Sequence, residues 1–284
     1  MKKLLLLCFI IFGVIQLNAE IPMQTQLREA IEQNNIKLAQ QLIKQGVNVN
    51  TIYDGGTTPL HIAASKGNLK MVKLLVKNGA DVNIRYDGAN PLYFAAFMNH
   101  TKIMKYLIKK GADVNNRMEG SMSILLRVSL NCQKEAIKIL MENNATMLTE
   151  NVSLTPIDAV AGSGNCSLDK KEEILKMMIK LGADINMARP YLPIKFNALD
   201  DAIINDEFDI EKMLVKLGAK SDYAIIYHAD KNNKEMIEFL LENGFNINAQ
   251  DQEGKTALDY TKTDDMRRFL ISHGTKSGKE LKQN

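Results

Sequence analysis

Apolar residues recur along this chain at the spacing of short helices that come in pairs. In the second helix of each predicted pair, two apolar columns stand four positions apart and so share one helix face. One column contains Leu42, Leu75, Leu107, Leu140, Met178, Leu214, Leu240 and Leu270. The other contains Leu38, Met71, Ile103, Ala136, Ile174, Ile210, Met236 and Met266. Polar residues lie between the two columns in all eight copies, so the pattern predicts eight amphipathic second helices.

Each second helix is followed by a residue that ends helices. Four positions after the first column come Gly46, Gly79, Gly111, Asn144, Gly182, Gly218, Gly244 and Gly274. Gly and Asn are the residues that most readily take the left-handed conformation after a helix. Copies that recur at about 33 residues indicate a stacked array, because one helix pair cannot bury its apolar face without neighbours.

A shorter helix is predicted before each second helix. Residues that can cap a helix start are Thr25, Thr58, Asn90, Ser123, Thr155, Asn197 and Thr256, while Tyr223 breaks this column. Pro follows three of these caps, at a position where its missing N–H costs nothing. Two residues after the cap, the column is aliphatic in every copy and is expected in the core: Leu27, Leu60, Leu92, Leu125, Ile157, Leu199, Ile225 and Leu258.

The two clearest copies are TPLHIAASKGNLKMVKLLVKNGADVN at residues 58–83 and NPLYFAAFMNHTKIMKYLIKKGADVN at residues 90–115. Both resemble ankyrin repeats. The resemblance implies a mainly α fold, an ankyrin repeat solenoid of about eight helix-turn-helix repeats with β-hairpin-like connecting loops. It also implies that first helices and hairpin tips form a concave surface that holds another protein. Copy five departs from the pattern with about six extra residues, 165–170, which we place between its two helices.

The predicted partner-binding residues lie on this implied surface. A column that the family usually exposes has Ser65, Phe97 and Leu130 in copies two to four, and Met98 follows Phe97. Apolar residues on a polar ridge are typical of a binding hot spot. The alternative is that Phe97 packs over its own repeat. Predicted rim residues at the hairpin tips are Tyr53, Tyr86, Arg117 and Met118, and the neighbouring Asp54 and Asp87 fit ordinary turn chemistry.

The first residues predict a separate segment. Lys2 and Lys3 precede a run of about 14 mostly apolar residues from Leu4 to Leu17, and the small residue Ala19 stands at the expected cleavage site. This is the layout of a secretory signal peptide over residues 1–19. A lipid-attachment site at Cys8 and an uncleaved anchor are the alternatives. No later stretch has the length and apolar content of a membrane span. We therefore expect a periplasmic or secreted bacterial protein.

The ends of the array are expected to face water. Residues 20–274 form the predicted array, with capping repeats near residues 24–50 and 254–274. The first is rich in Gln and Asn, and the last has a first helix about three residues short. Residues 275–284 have no apolar periodicity and predict a flexible polar tail.

Composition and charge argue against several other functions. The chain has 284 residues, with 36 Lys and Arg against 33 Asp and Glu, a balance that does not predict a nucleic-acid partner. Its four His do not pair at metal-ligand spacing, and it has no phosphate-binding Gly loop or known hydrolase motif. We predict no catalytic residue, no metal site and no cofactor.

Several polar residues in the repeats are predicted to be structural. His61 is expected to bond within the stack, and Asp158, Asp200 and Asp259 are expected to pair with helix caps. His228 stands in a column that has Ala or Val in copies one to six. Either its ring crowds the interior, or copy seven has slipped by one residue so that Ala229 takes that place.

Cys132 and Cys166 both follow the first helix of consecutive copies. Export would place them in an oxidising compartment, and the insertion in copy five could bring their Cα atoms within disulfide range. The hypotheses are a disulfide or two free buried thiols.

Taken together, the sequence predicts a non-catalytic, exported scaffold, with monomer as its expected state, that binds a partner protein. Bacterial proteins of similar appearance, with a leader and a short array, are associated with support of periplasmic enzymes. The alternatives are a secreted effector that engages a host protein and a hydrolase with an unrecognised site.

Overall fold

The protein is described as a computed structural model over residues 21–118, 122–147, 154–189 and 196–282. Across these ranges it forms seventeen helices and no β-strand, with one isolated bridge between Tyr86 and Ala89. The predicted signal peptide lies outside the described residues. The mainly helical repeat fold is confirmed.

The chain divides into two compact units, Met1–Glu119 and Gly120–Asn284. The first contains α1 (Met23–Glu32), α2 (Ile36–Lys44), α3 (Pro59–Ser65), α4 (Leu69–Lys77), α5 (Pro91–Phe97) and α6 (Thr101–Lys109).

The second unit continues the same alternation of helices. It contains α7 (Ile124–Leu130), α8 (Lys134–Glu142), α9 (Pro156–Ala161), α10 (Leu168–Lys180), α11 (Ala198–Ile204), α12 (Phe208–Lys216), α13 (Ala224–Asp230), α14 (Lys234–Glu242), α15 (Ala257–Tyr260), α16 (Asp264–Ser272) and α17 (Gly278–Leu281).

Side-chain caps begin most first helices at the predicted residues. The Asn90 side chain accepts the backbone N–H of Tyr93 at 3.0 Å, and Ser123 accepts that of Leu126 at 3.1 Å. Such bonds satisfy backbone donors that the first helical turn leaves free. Copy one is an exception: α1 begins at Met23 after Pro22, so the predicted cap Thr25 lies inside the helix. Tyr223 precedes α13 without a side-chain cap bond.

The helix stops are confirmed in all eight copies. The seven Gly residues of that column have φ between 78° and 95°, and Asn144 has φ 62°. First helices of successive copies pack together, as α3 does on α5 in unit one and α7 on α9 in unit two.

The predicted apolar columns form the cores of the two units. Leu60, Leu92 and Leu107 are fully buried in unit one, and Leu199 and Leu240 are fully buried in unit two. Burying a Leu side chain is worth about 1.5–3 kcal/mol, so these repeated columns carry most of the driving force for stacking.

A ladder of Asn side chains joins neighbouring copies within each unit. Asn50 donates its amide N–H to the carbonyl of Gly79 at 2.9 Å and accepts the backbone N–H of Asp81 at 2.9 Å. Asn83 makes the equivalent pair of bonds with Gly111 and Asp113. Each Asn therefore satisfies a helix C-terminus in the next copy.

Two segments differ from the sequence predictions. Residues 168–170, expected between the helices of copy five, instead form the first turn of α10. The tail contains the helical turn α17, whereas no regular structure was expected there. The backbone N–H of Gly278, in this turn, donates to Asp259 at 2.8 Å. Apolar periodicity does not reveal such a long-range contact.

Candidate functional site

The predicted ridge in unit one lies at the end of α5. Phe97 is 42% exposed and Met98 is 48% exposed. The preceding residues Tyr93, Ala95 and Ala96 are buried, so α5 fills the core along most of its length and presents apolar surface only at its last turn. Exposed apolar side chains next to one another are typical of a contact surface.

Ser65 occupies the corresponding place at the end of α3. It is half-buried, and its carbonyl accepts a hydrogen bond from His100 Nε2 at 2.9 Å. A cavity of ≈ 150 Å³ lies here, lined by Thr57, His61, Ile62, Ser65, Lys66 and Phe94. Ligand pockets for drug-sized molecules measure about 300–1,000 Å³, so this cavity suits a side chain of a partner better.

The hairpin residue Tyr53 does not form the rim that the sequence predicts. Its side chain is only 8% exposed, and the guanidinium of Arg28 lies 5.6 Å from the ring centroid. Burial raises the pKa of the Tyr53 hydroxyl. The ring is therefore part of the packing between copies one and two, where the Arg28 stem and charge cover it.

Tyr86 also packs against other residues of unit one. Its ring stacks on Phe94 with centroids 6.2 Å apart and meets the His61 ring edge-on at 6.2 Å. It also covers Gly56, where a Cβ would lie 2.6 Å from the Tyr86 ring. The half-buried ring helps to fix the hairpin, and a contact between Tyr86 and a partner stays a prediction. Asp87 has φ 51°, as the predicted turn requires.

The remaining predicted contacts are half-buried. Arg117 and Met118 lie at the end of the described part of unit one. Leu130 ends α7 in unit two, and its carbonyl accepts bonds from Ser163 Oγ at 2.8 Å and Asn165 Nδ2 at 3.2 Å. A shared ridge of Phe97 and Leu130 stays a prediction.

The loop that holds Leu130 also carries a cysteine. Cys166 lies in this loop between α9 and α10, and Cys132 follows α7. The structure joins their sulfur atoms, with the two Cα atoms 6.3 Å apart. Cys132 is buried with φ 49°. The insertion of copy five thus folds back onto copy four.

His61 is buried and bonded at both ring nitrogens. Nδ1 lies 3.3 Å from the backbone nitrogen of Thr58, from which it accepts, and Nε2 lies 3.2 Å from the carbonyl oxygen of Ala89. Burial lowers the pKa of the imidazole, against the opposing effect of the Ala89 carbonyl. The ring therefore caps α3 and ties it to the next hairpin, and both nitrogens are used in doing so.

His228 is accounted for by a partner that the sequence reasoning missed. Its Nε2 lies 2.8 Å from Oε1 of Glu211, and the two side chains are 1% and 0% exposed. His228 occupies the interior column in register, so copy seven has not slipped. A signal for Glu211 was present: this position in α12 corresponds to Val72, Met104, Ile137, Leu175 and Ile237 in other copies.

Arg189 is a second residue that the sequence did not reveal. It lies between α10 and α11, where its Nε bonds to Asp158 Oδ2 at 3.1 Å and its other end pairs with Asp201. Asp158 also accepts the backbone N–H of Thr155 at 2.8 Å, as predicted for a cap. The guanidinium therefore fastens the long link between copies five and six to two first helices.

The other two predicted cap partners also hold neighbouring segments. Asp200 accepts the Asn197 backbone N–H at 3.0 Å and a bond from Ser221, while burial raises its pKa. Asp259 accepts N–H groups of Thr256 and Gly278. Burial alone would raise the Asp259 pKa, but these hydrogen bonds outweigh it and the pKa is lowered.

The described residues do not assemble His, Cys, Asp or Glu in groups of three that could hold a metal ion. In the same ranges, no helix combines the length and apolar character needed to cross a bilayer. The polar clusters above fasten helices together, although Glu211 Oε2, His228 Nδ1 and Asp158 Oδ1 have no hydrogen-bond partner among the described residues. Apolar surface at α5 is therefore the better candidate for function.

Comparison with known proteins gives the same architecture. A family model described as ankyrin repeats (3 copies) matches residues 27–118, and one described as ankyrin repeats (many copies) matches residues 222–260. An ankyrin repeat protein of Fowlpox virus (strain NVSL) is 34% identical over 98 residues, which cover 33% of this chain and 23% of the viral protein. With capped helix pairs of the same kind in both units, these matches show that the chain contains ankyrin repeats in both matched stretches.

Proposed function

We propose that this protein is an exported, non-catalytic scaffold that binds a partner protein through the end of α5. The ankyrin repeats support a role in protein–protein interaction. The observation that carries the proposed site is the pair of exposed side chains at Phe97 and Met98 beside otherwise buried residues. The cavity next to Ser65 gives a partner side chain a place to insert.

The physical basis is burial of apolar surface at a small hot spot. Phe and Met side chains contribute strongly when a partner covers them, because desolvation of apolar area drives association. His61 is buried and uses both ring nitrogens in structural hydrogen bonds.

Affinity capture tests the proposed site. The full chain is immobilised as wild type and as a Phe97→Ala/Met98→Ala variant. Each form is then incubated with envelope extract of the source organism. Ile271→Ala is the matched control, because Ile271 is 55% exposed on the second helix of the last copy. We expect loss of a specific protein only from the double variant, and equal recovery by all three forms would refute the site.

Export requires its own test. Mass spectrometry of the purified cellular protein should find a new N-terminus close to Ala19, with the protein in the periplasmic fraction. A chain that keeps residues 1–19 would contradict cleavage. Partner-binding activity found only in the culture supernatant would favour the secreted effector over the periplasmic scaffold.

A further inference from the structure

Unit two carries a second apolar surface, formed where α11, α12 and α13 meet. Ile204 is 46% exposed, Phe208 is 41% exposed and Tyr223 is 43% exposed. We call these three residues the α11–α13 patch. Singly exposed apolar residues are ordinary, but several in one neighbourhood indicate an interaction site.

Ring contacts hold the members of this patch together. Tyr227 lies between them: its ring centroid is 5.8 Å from that of Tyr223, and its hydroxyl lies 3.2 Å from Asp206 Oδ1 and 3.4 Å from the Ile204 carbonyl oxygen. His228 links to both sides, with ring centroids 5.5 Å from Tyr227 and 6.2 Å from Phe208. The patch is therefore one built surface.

The buried hydrogen bond between Glu211 and His228 supports this surface. His228 is fixed by Glu211 at 2.8 Å, so the imidazole that contacts Phe208 and Tyr227 has little freedom to move. Aromatic side chains held in place lose less entropy on binding than mobile ones. The Glu211–His228 pair therefore helps to position the exposed aromatic rings of the patch.

Acidic side chains surround Phe208. An open hollow of ≈ 420 Å³ is lined by Asp206, Glu207, Phe208, Asp209 and Ile210. The three carboxylates are exposed, and no Lys or Arg forms an ion pair with them in the described part of the chain. Two cations act on them more weakly: Lys231 attracts Asp206, and the buried Lys171 attracts Glu207.

We propose that the α11–α13 patch binds a basic peptide segment of a protein, in which Lys or Arg stands beside an aromatic or aliphatic residue. Apolar side chains would cover Ile204, Phe208 and Tyr223, while the basic groups meet Asp206 and Asp209. Charge complementarity of this kind steers association and excludes acidic competitors. This surface lies on unit two, so it adds to the α5 site and does not depend on it.

Selection from a random peptide display library on the immobilised full chain tests this proposal. Enriched peptides are synthesised and their affinities measured by fluorescence anisotropy. Asp206→Asn/Asp209→Asn removes two charges without touching Glu207, which acts on Lys171. Glu238→Gln/Glu242→Gln is the matched control, because it removes two exposed charges from α14 in the same unit.

We expect enrichment of Lys and Arg beside apolar residues, and affinities about five- to tenfold weaker for the Asp206→Asn/Asp209→Asn variant, as removal of two exposed charges permits. Phe208→Ser should also weaken binding, with folding checked by circular dichroism. The control variant and Phe97→Ala/Met98→Ala should bind like wild type. Absence of binders, no basic enrichment, or unchanged affinity in the Asp206→Asn/Asp209→Asn variant would overturn the proposal.

Discussion

His61 shows how a single side chain joins two copies. Its Nδ1 accepts the backbone N–H at the start of α3, and its Nε2 donates to Ala89 in the following hairpin. In three other copies an Asp has the first of these roles, at Asp158, Asp200 and Asp259. Protonation of Nδ1 would remove the acceptor, so the neutral ring is the form that fits.

The lowered pKa of His61 predicts a pH dependence of stability. Because the unfolded chain binds more protons than the folded chain below an unfolded pKa of about 6.5, this residue makes stability rise with pH up to that value. His61→Gln keeps an acceptor but cannot titrate in this range. Urea unfolding between neutral and mildly acidic pH should show a steeper loss of stability in wild type than in His61→Gln, and parallel losses would contradict this role.

Gly278 is the residue that allows the C-terminal turn to dock. A Cβ there would lie 2.1 Å from the carbonyl oxygen of Gly254, and the bond from its N–H to Asp259 would be lost. Hydrogen bonds to charged groups contribute about 1.5–3 kcal/mol, so Gly278→Ala should release α17. Amide hydrogen exchange should become faster over residues 275–282, whereas Gly164→Ala, which meets no atom, should leave it unchanged.

At the scale of elements, α12 and α13 are joined inside the core by a buried contact between Glu211 Oε1 and His228 Nε2 at 2.8 Å. Glu211 Oε2 and His228 Nδ1 lack hydrogen-bond partners among the described residues, so the pair is only partly satisfied. Copies one to six have Ala or Val at the position of His228. Most other copies have an aliphatic residue at the position of Glu211. Copy seven therefore keeps a buried polar pair that stacking alone does not require.

A double-mutant cycle tests this pair. Removing one partner of a buried ion pair costs about 3–5 kcal/mol, while apolar replacement of both is often neutral or stabilising. His228→Ala and Glu211→Ile should each lower the unfolding free energy, and the double variant should be at least as stable as wild type. Single variants that cost nothing would show that the pair is not coupled.

The bond between Cys132 and Cys166 fastens the copy-five insertion to α7. A link across 34 residues of sequence is expected to stabilise the fold by about 2–4 kcal/mol, mainly by restricting the unfolded chain. Cys132→Ser/Cys166→Ser should lower unfolding stability by this amount under oxidising conditions. Reduction should have the same effect on wild type and none on the variant. Two free thiols in protein isolated from the periplasm would remove the prediction.

Sequence reasoning succeeded where the determining interactions are local. A helix stop depends on one backbone angle, so the Gly and Asn column predicted eight stops correctly. Residues that act across copies were harder to find. Arg189 lies in a link with no repeat register, and its Asp158 partner is 31 residues away. Tyr53 was placed on a rim because its hairpin position was known but its contact with Arg28 was not.

At the scale of the whole molecule, order comes from contacts between neighbouring copies in each unit. Stacked apolar columns supply the driving force, and the Asn ladder fixes the register of adjacent copies. Within this framework, most polar groups bond to one another. Phe97 and Met98 are 42% and 48% exposed, so stacking leaves part of their apolar surface in contact with solvent.

Site-specific photo-crosslinking in living cells tests the central claim that the α5 surface binds a protein. A photoreactive phenylalanine analogue at position 97 places the probe in the proposed contact, and the same analogue at position 271 is the control. We predict one defined crosslinked protein from position 97, reduced by the Met98→Ala substitution, and none of that protein from position 271. Crosslinks to the same proteins from both positions, or none from position 97, would contradict the claim.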